Sequence, residues 1–188
     1  MRNFEEDFIE SNKSELKQEW INTLKRIFGF DSKVEFKESK ETQLDFGVDF
    51  LVTQKTGRKF SVECKTKRYE LMPLDSWVLE IVHHIYSDNT RTEKIKTKEG
   101  WLYCSTADYI IYGTLNESKN KIIEVCAFSL IPFKYEEFKK VISKLPTKFS
   151  STIYPNGNYQ ITILKLASTE FLRNNANKFW YFKNENSN

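Results

Sequence analysis

Residues 47–65, GVDFLVTQKTGRKFSVECK, decide how this chain is read. Val48, Phe50 and Val52 share one face of an extended segment, and Asp49 lies on the other. Beyond the polar turn Gln54-Lys55-Thr56-Gly57-Arg58, Phe60, Val62 and Cys64 form an apolar face, while Ser61, Glu63 and Lys65 form a polar one. Gly57 can take the positive φ that short hairpin loops require. Folding back there sets Asp49 and Glu63 on neighbouring strands. If their faces coincide, two carboxylates and one ammonium meet. That set predicts a divalent-cation site beside a fixed positive charge, which is chemistry for breaking a phosphodiester. Mg²⁺ suits oxygen ligands of this kind, with Mn²⁺ as a substitute.

The triplet acid-x-Lys is by itself weak, because the chain has seven, starting at Glu15, Asp31, Glu35, Glu38, Glu63, Glu117 and Glu137. Glu63 stands apart because its strand has an apolar reverse face, and an acid lies one hairpin upstream with a Gly just before that acid's strand. The rival Glu35-Phe36-Lys37 has no acid at that distance. The plain alternative is that Asp49, Glu63 and Lys65 form the wet face of an antiparallel sheet.

On these residues the stretch GVDF…SVECK resembles the catalytic core of the PD-(D/E)XK superfamily, the restriction-endonuclease-like nucleases that include archaeal Holliday-junction resolvases. Asp49 matches the first acid of the motif, Glu63 the second and Lys65 the lysine; Val48 replaces the Pro that names it. The resemblance implies an α/β fold, a restriction-endonuclease-like core with a central mixed β-sheet flanked by helices in αβββαβ order. It covers residues 1–112. A C-terminal αβ extension, 113–174, would complete a single domain, and 175–188 would form a tail.

The implied activity is Mg²⁺-dependent hydrolysis of DNA phosphodiesters, with an endonuclease favoured. Asp49 and Glu63 would hold the metal with the backbone carbonyl of Cys64. Lys65 would orient or deprotonate a water, or stabilise developing negative charge, its pKa open to lowering by burial and a nearby cation. Members of the superfamily often add a Glu from the opening helix. Glu19, which borders the apolar stripe, is favoured for this over Glu15 and Glu6, and Asp45 is a further acid near the site. The alternative is a nuclease-like fold that acts by binding nucleic acid or a protein partner without cleavage.

The charge balance, +3 formally, is too small to identify a nucleic-acid binder. Its distribution says more. Lys67 and Arg68 follow the motif directly, and Arg91, Lys94, Lys96 and Lys98 form a second basic stretch; both are candidate phosphate contacts. No run of 18 apolar residues marks a membrane span. The acidic start MRNFEEDFIE lacks an apolar signal core, so a cytoplasmic protein is expected. Cys64, Cys104 and Cys126, odd in number and widely spaced, predict buried free thiols. The expected partner is DNA, with a homodimer as a second expectation.

Periodicity sets the element order. Leu16, Trp20, Leu24 and Ile27 predict a helix over 5–28, ended by Gly29. Strands are predicted at 33–37, 44–53, 59–66, 100–104, 107–112, 121–131 and 159–166. Helices are predicted at 74–86, signalled by Pro73 and Asp75, and at 135–145. His83 and His84 then fall at a helix end, where one of them could bind phosphate or shuttle a proton. Asp108 would orient a sheet end, and Trp77 and Trp101 belong to the core. Phe179, Trp180 and Tyr181 suggest that part of the Asn-rich tail packs.

Overall fold

Leu16, Trp20, Leu24 and Phe28 recur at every fourth residue, and all four are buried on one face of helix α1 (Ser14–Phe28). Gly29, at φ 113°, ends the helix. The computed structural model describes residues 14–37, 48–71 and 75–184. Glu6, Asp45 and Pro73 lie outside the described residues.

Three short strands follow: β1 (Lys33–Phe36), β2 (Phe50–Thr53) and β3 (Lys59–Lys67). They pair antiparallel, with Phe50 opposite Val62. After β3 the chain leaves this sheet. It forms β4 (Trp77–Tyr86), β5 (Lys94–Glu99) and one helical turn, α2 (Trp101–Cys104), before β6 (Tyr109–Leu115) returns parallel to β3. β7 (Ile122–Ser129), helix α3 (Glu136–Ser143), β8 (Thr147–Ile153), β9 (Tyr159–Ala167), helix α4 (Thr169–Asn175) and β10 (Phe179–Lys183) complete the order. The first sheet is mixed and runs β1-β2-β3-β6-β7-β10; the second is antiparallel and runs β5-β4-β9-β8. The architecture is α/β, a mixed sheet flanked by helices.

Two cores lie on the two faces of the first sheet. On one, α1 covers Phe50, Val52, Val62, Ile111 and Val125. On the other, Trp77 and Leu79 of the second sheet meet Ile110, Tyr112, Phe128, Phe133 and Leu172. Fully burying a side chain of this size contributes about 1.5–3 kcal/mol, so these layers fix the first sheet firmly.

Two predicted elements change type. Residues 74–86 form a strand, not a helix. Asp75 does not start a helix of its own, since its Oδ1 accepts the backbone N–H of Thr169 at 3.0 Å and the Thr169 hydroxyl as well. Val78, Ile81, Val82, Ile85 and Tyr86 then favour the strand, which gains ladders to β5 and β9. Residues 100–104 form a helical turn, not a strand. The backbone at Gly100 presses on β4: a Cβ there would lie 2.2 Å from the Glu80 carbonyl oxygen. The turn drives Trp101 and Leu102 inward and leaves Cys104 exposed, against the expectation of a buried thiol. Cys126 is buried and Cys64 half-buried. Residue 112, the expected border between core and extension, falls inside β6. In the tail, Phe179–Lys183 pairs with β7.

Candidate functional site

The strand register decides which side chains meet. Glu63 lies beside Ile110 and Lys65 beside Tyr112, and both neighbours belong to the core facing the second sheet. Cys64 lies beside Ile111 on the α1 side. The alternation breaks just before β2: Val48 packs in the core facing the second sheet with Leu51, not on the Phe50 face where it was expected. Glu63 and Lys65 share the face toward the second sheet, and Asp49 lies close enough for its charge to bear on both.

Each carboxylate is held differently. The Oδ2 of Asp49 accepts the Cys64 backbone N–H at 2.7 Å, and the Asp49 N–H donates to the Val62 carbonyl at 2.9 Å. Burial pushes the Asp49 carboxyl up to about 6; Glu63 adds to the rise, while the Cys64 N–H and the Lys65 charge oppose it. Glu63 is only 5% exposed, and its Oε1 pairs with the Lys65 ammonium. Its Oε2 is buried and has no hydrogen-bond partner among the described residues. A buried oxygen of this kind is costly unless something positive or a donor meets it. In an extended strand a residue's N–H and C=O point to the same neighbour, so the Cys64 carbonyl also opens toward Asp49.

Lys65 is held as a cation. Burial works to lower its pKa, but the carboxylates of Glu63, Glu80 and Asp49 outweigh it and raise the ammonium to about 12. A lowered lysine pKa is thus not found. Held as a cation, Lys65 is set up to donate to a substrate oxygen. The indole of Trp101 lies 5.6 Å from its Nζ.

β4 brings in two groups that a helix could not have placed there. Glu80 bears on the Lys65 ammonium, and its Oε2 lies 3.8 Å from His83 Nε2. Tyr154 donates to Gln160 Oε1 at 2.6 Å, which orients the amide so that Gln160 Nε2 faces His83 Nδ1 at 3.1 Å. Nδ1 then accepts, and neutral His83 carries its proton on Nε2, toward Glu80. Burial holds His83 below the ordinary imidazole value; Lys98 and Lys65 act with it and Glu80 against it. His84 points elsewhere, its Nδ1 3.1 Å from Thr97 Oγ1. β-branched residues throughout 77–86 were the signal for this strand, outweighed by the helix-start pattern before it.

Other expected residues are not brought to the site. Glu19 lies on the α1 face, where its Oε2 accepts the Ile122 N–H at 3.4 Å, so the sheet separates it from Glu63. Glu15 is exposed on the same helix. Lys67 turns inward to a buried network: its Nζ lies 3.8 Å from Glu124 Oε2, which also takes the Thr114 hydroxyl at 2.7 Å. Tyr181 fills the other Glu124 oxygen at 2.8 Å. Lys67 is therefore a core cation rather than a surface phosphate contact. Arg68, Lys94 and Lys96 are exposed, the latter two on the edge strand β5. Asp108 accepts the Ser61 N–H and hydroxyl at 2.8 and 2.9 Å, tying β3 to the start of β6.

Among the described residues, no three His, Cys, Asp or Glu side chains cluster as a metal cage. No helix among them is long and apolar enough to cross a membrane. No family model, curated protein or solved structure matches this chain.

Proposed function

We propose that this protein is a Mg²⁺-dependent nuclease that hydrolyses DNA phosphodiesters endonucleolytically, built on a restriction-endonuclease-like core. The observation that carries the proposal is the orphaned Glu63 Oε2, buried on the face it shares with Lys65 and near enough to Asp49 for the two carboxyls to act on each other. The donor set fits a hard divalent cation: a carboxyl at Asp49 that burial disfavours as an anion, an unmatched oxygen at Glu63, and the Cys64 carbonyl. When bound there, Mg²⁺ supplies Lewis-acid polarisation and a water of lowered pKa.

The chain's own groups do the rest. Asp49 and Glu63 bind and orient, their positions fixed by the β2–β3 ladder and by the Cys64 N–H. Lys65, protonated, donates to a phosphate oxygen and offsets the charge that builds in the transition state. Glu80, rather than Glu19, is the additional acid on this face, and it keeps Lys65 charged. Lys96 and Lys98 lie opposite Ile85 and His83 in the register, so on the His83 side of the second sheet they offer cations to a phosphate backbone leading to the site. The order α1, antiparallel β1–β2–β3, then a parallel β6 also supports the reading, with a β-hairpin and a helical turn in the crossover that the resemblance fills with a helix.

The test is calorimetric titration with Mg²⁺ and Mn²⁺, followed by incubation with plasmid, linear, single-stranded and branched DNA with and without metal. Binding of the ions and metal-dependent scission are expected. No ion binding and no scission would refute the reading and favour a fold used only for binding.

A further inference from the structure

The outer edge of β8 differs from every other sheet edge. β5, the opposite edge of the second sheet, carries Lys94, Lys96, Lys98 and Glu99, all exposed, and meets a bulge at Ile85/Tyr86. β1 is four residues long, with Lys33 and Glu35 paired across it. On β10, the guanidinium of Arg26 lies 3.8 Å from the centre of the Phe182 ring, and that of Arg173 lies 5.5 Å from Phe179. Charges, shortness and bulges are the devices that keep edges from pairing. β8, TKFSSTI, has a regular register with β9, no bulge and one charge, Lys148.

Its free side has a definite hydrogen-bond pattern. Tyr154 N donates to the Asn158 carbonyl at 2.8 Å, and Leu166 N donates to the Pro146 carbonyl at 3.0 Å. Even-numbered residues of β8 thus face β9, and Thr147, Phe149, Ser151 and Ile153 turn their N–H and C=O outward. Phe149 and Ile153 share one face of β8 and are 64% and 41% exposed.

We propose that β8 pairs antiparallel with β8 of a second copy of this chain, about a two-fold axis at Ser151, to form a homodimer with one continuous sheet. The strand is self-complementary in that register. Ser151 meets its own copy, and Phe149 meets Ile153 of the second copy, joining two exposed apolar side chains. Lys148 falls opposite Tyr154, not opposite another lysine. The contact is isologous, and the edges left over are the lysine-bearing β5 strands, so assembly stops at two. The proposal rests on this edge alone and not on the nuclease reading.

Sedimentation velocity and light scattering test it. The wild type is expected to run at twice the monomer mass by about 100 μM, where a micromolar Kd would populate the dimer. Ser151→Pro removes an outward N–H and spares the β8–β9 ladder. Phe149→Lys puts a charge on the apolar pair. Each should weaken dimerisation at least about tenfold (some 1.4 kcal/mol) with unchanged circular dichroism. In a Cys104→Ser background, oxidised Ser151→Cys should cross-link and Ser150→Cys should not, since Cα atoms of a hydrogen-bonded antiparallel pair lie about 5.5 Å apart, within disulfide range. A monomeric wild type, leaving the edge to a strand of another protein, would overturn the proposal. So would a dimer indifferent to both substitutions, or cross-linking through position 150.

Discussion

The two sheets, of six and four strands, have opposite surroundings. In the first, β6 and β7 are buried along their whole length, covered by α1 on one face and by the second sheet and its helices on the other. In the second, β5 is exposed throughout and β8 nearly so. The difference separates two tasks. Glu63 sits on β3 beside fully buried β6, and the apolar burial around it offsets the cost of its unmatched oxygen. A strand with bare faces and edges cannot hold such a group but can meet a partner. The candidate chemistry thus sits on the first sheet, and the surfaces we propose for DNA and for a second copy lie on the second.

The largest effect expected from this contrast is on activity. Glu63→Ala and Asp49→Ala should each reduce metal-dependent plasmid cleavage by about 1,000-fold, the scale on which a group stabilising the transition state is missed. Circular dichroism should stay native. Cleavage at the wild-type rate by either variant would remove the first sheet's claim to the chemistry.

Next comes packing. Ile111, fully buried in β6, should cost about 3 kcal/mol on replacement by alanine, whereas Ile161, half-buried in β9, should cost less than about 1 kcal/mol. Urea denaturation measures both. Equal losses would mean that the sheets are equally load-sharing and the contrast false.

The smallest effect is on pH dependence. The folded protein raises Asp49 from 3.8 to about 6, so folding favours its neutral form. The corresponding stability is present below pH 4 and lost as pH rises through about 6. Without metal, Asp49→Asn should therefore melt a few degrees above wild type at pH 8 and at the same temperature near pH 4. Mg²⁺ should restore the wild type at pH 8 and not the variant. A melting difference independent of pH would show that the Asp49 carboxyl is not held as described.

The β3 half of the hairpin was legible because alternation reports faces directly, with Val62 and Cys64 on one side and Glu63 and Lys65 on the other; Val48 was misread with Phe50 and Val52 because the alternation breaks at Asp49, whose N–H bonds to Val62. The α1 stripe was legible for the same kind of reason, at the helical period. Residues 74–86 misled because Pro73 and Asp75 give a local helix-start pattern, while the bonds that overrule it come from Thr169, far along the chain. Glu19 misled because a border position on a helix does not say on which side of the sheet the helix lies. Lys67 misled because adjacency in sequence to the motif says nothing about Glu124, which pulls it inward.

By itself the sequence determined the α1 stripe, the turn at Gly57 and the shared face of Glu63 and Lys65, because these depend on neighbours within one element or hairpin. Only the tertiary structure decided that Glu63 keeps an unmatched buried oxygen, that Lys65 stays charged between Glu63 and Glu80, and that β8 is left with an open edge. Burial, electrostatic environment and edge position are set by segments distant in the chain, and no local pattern encodes them.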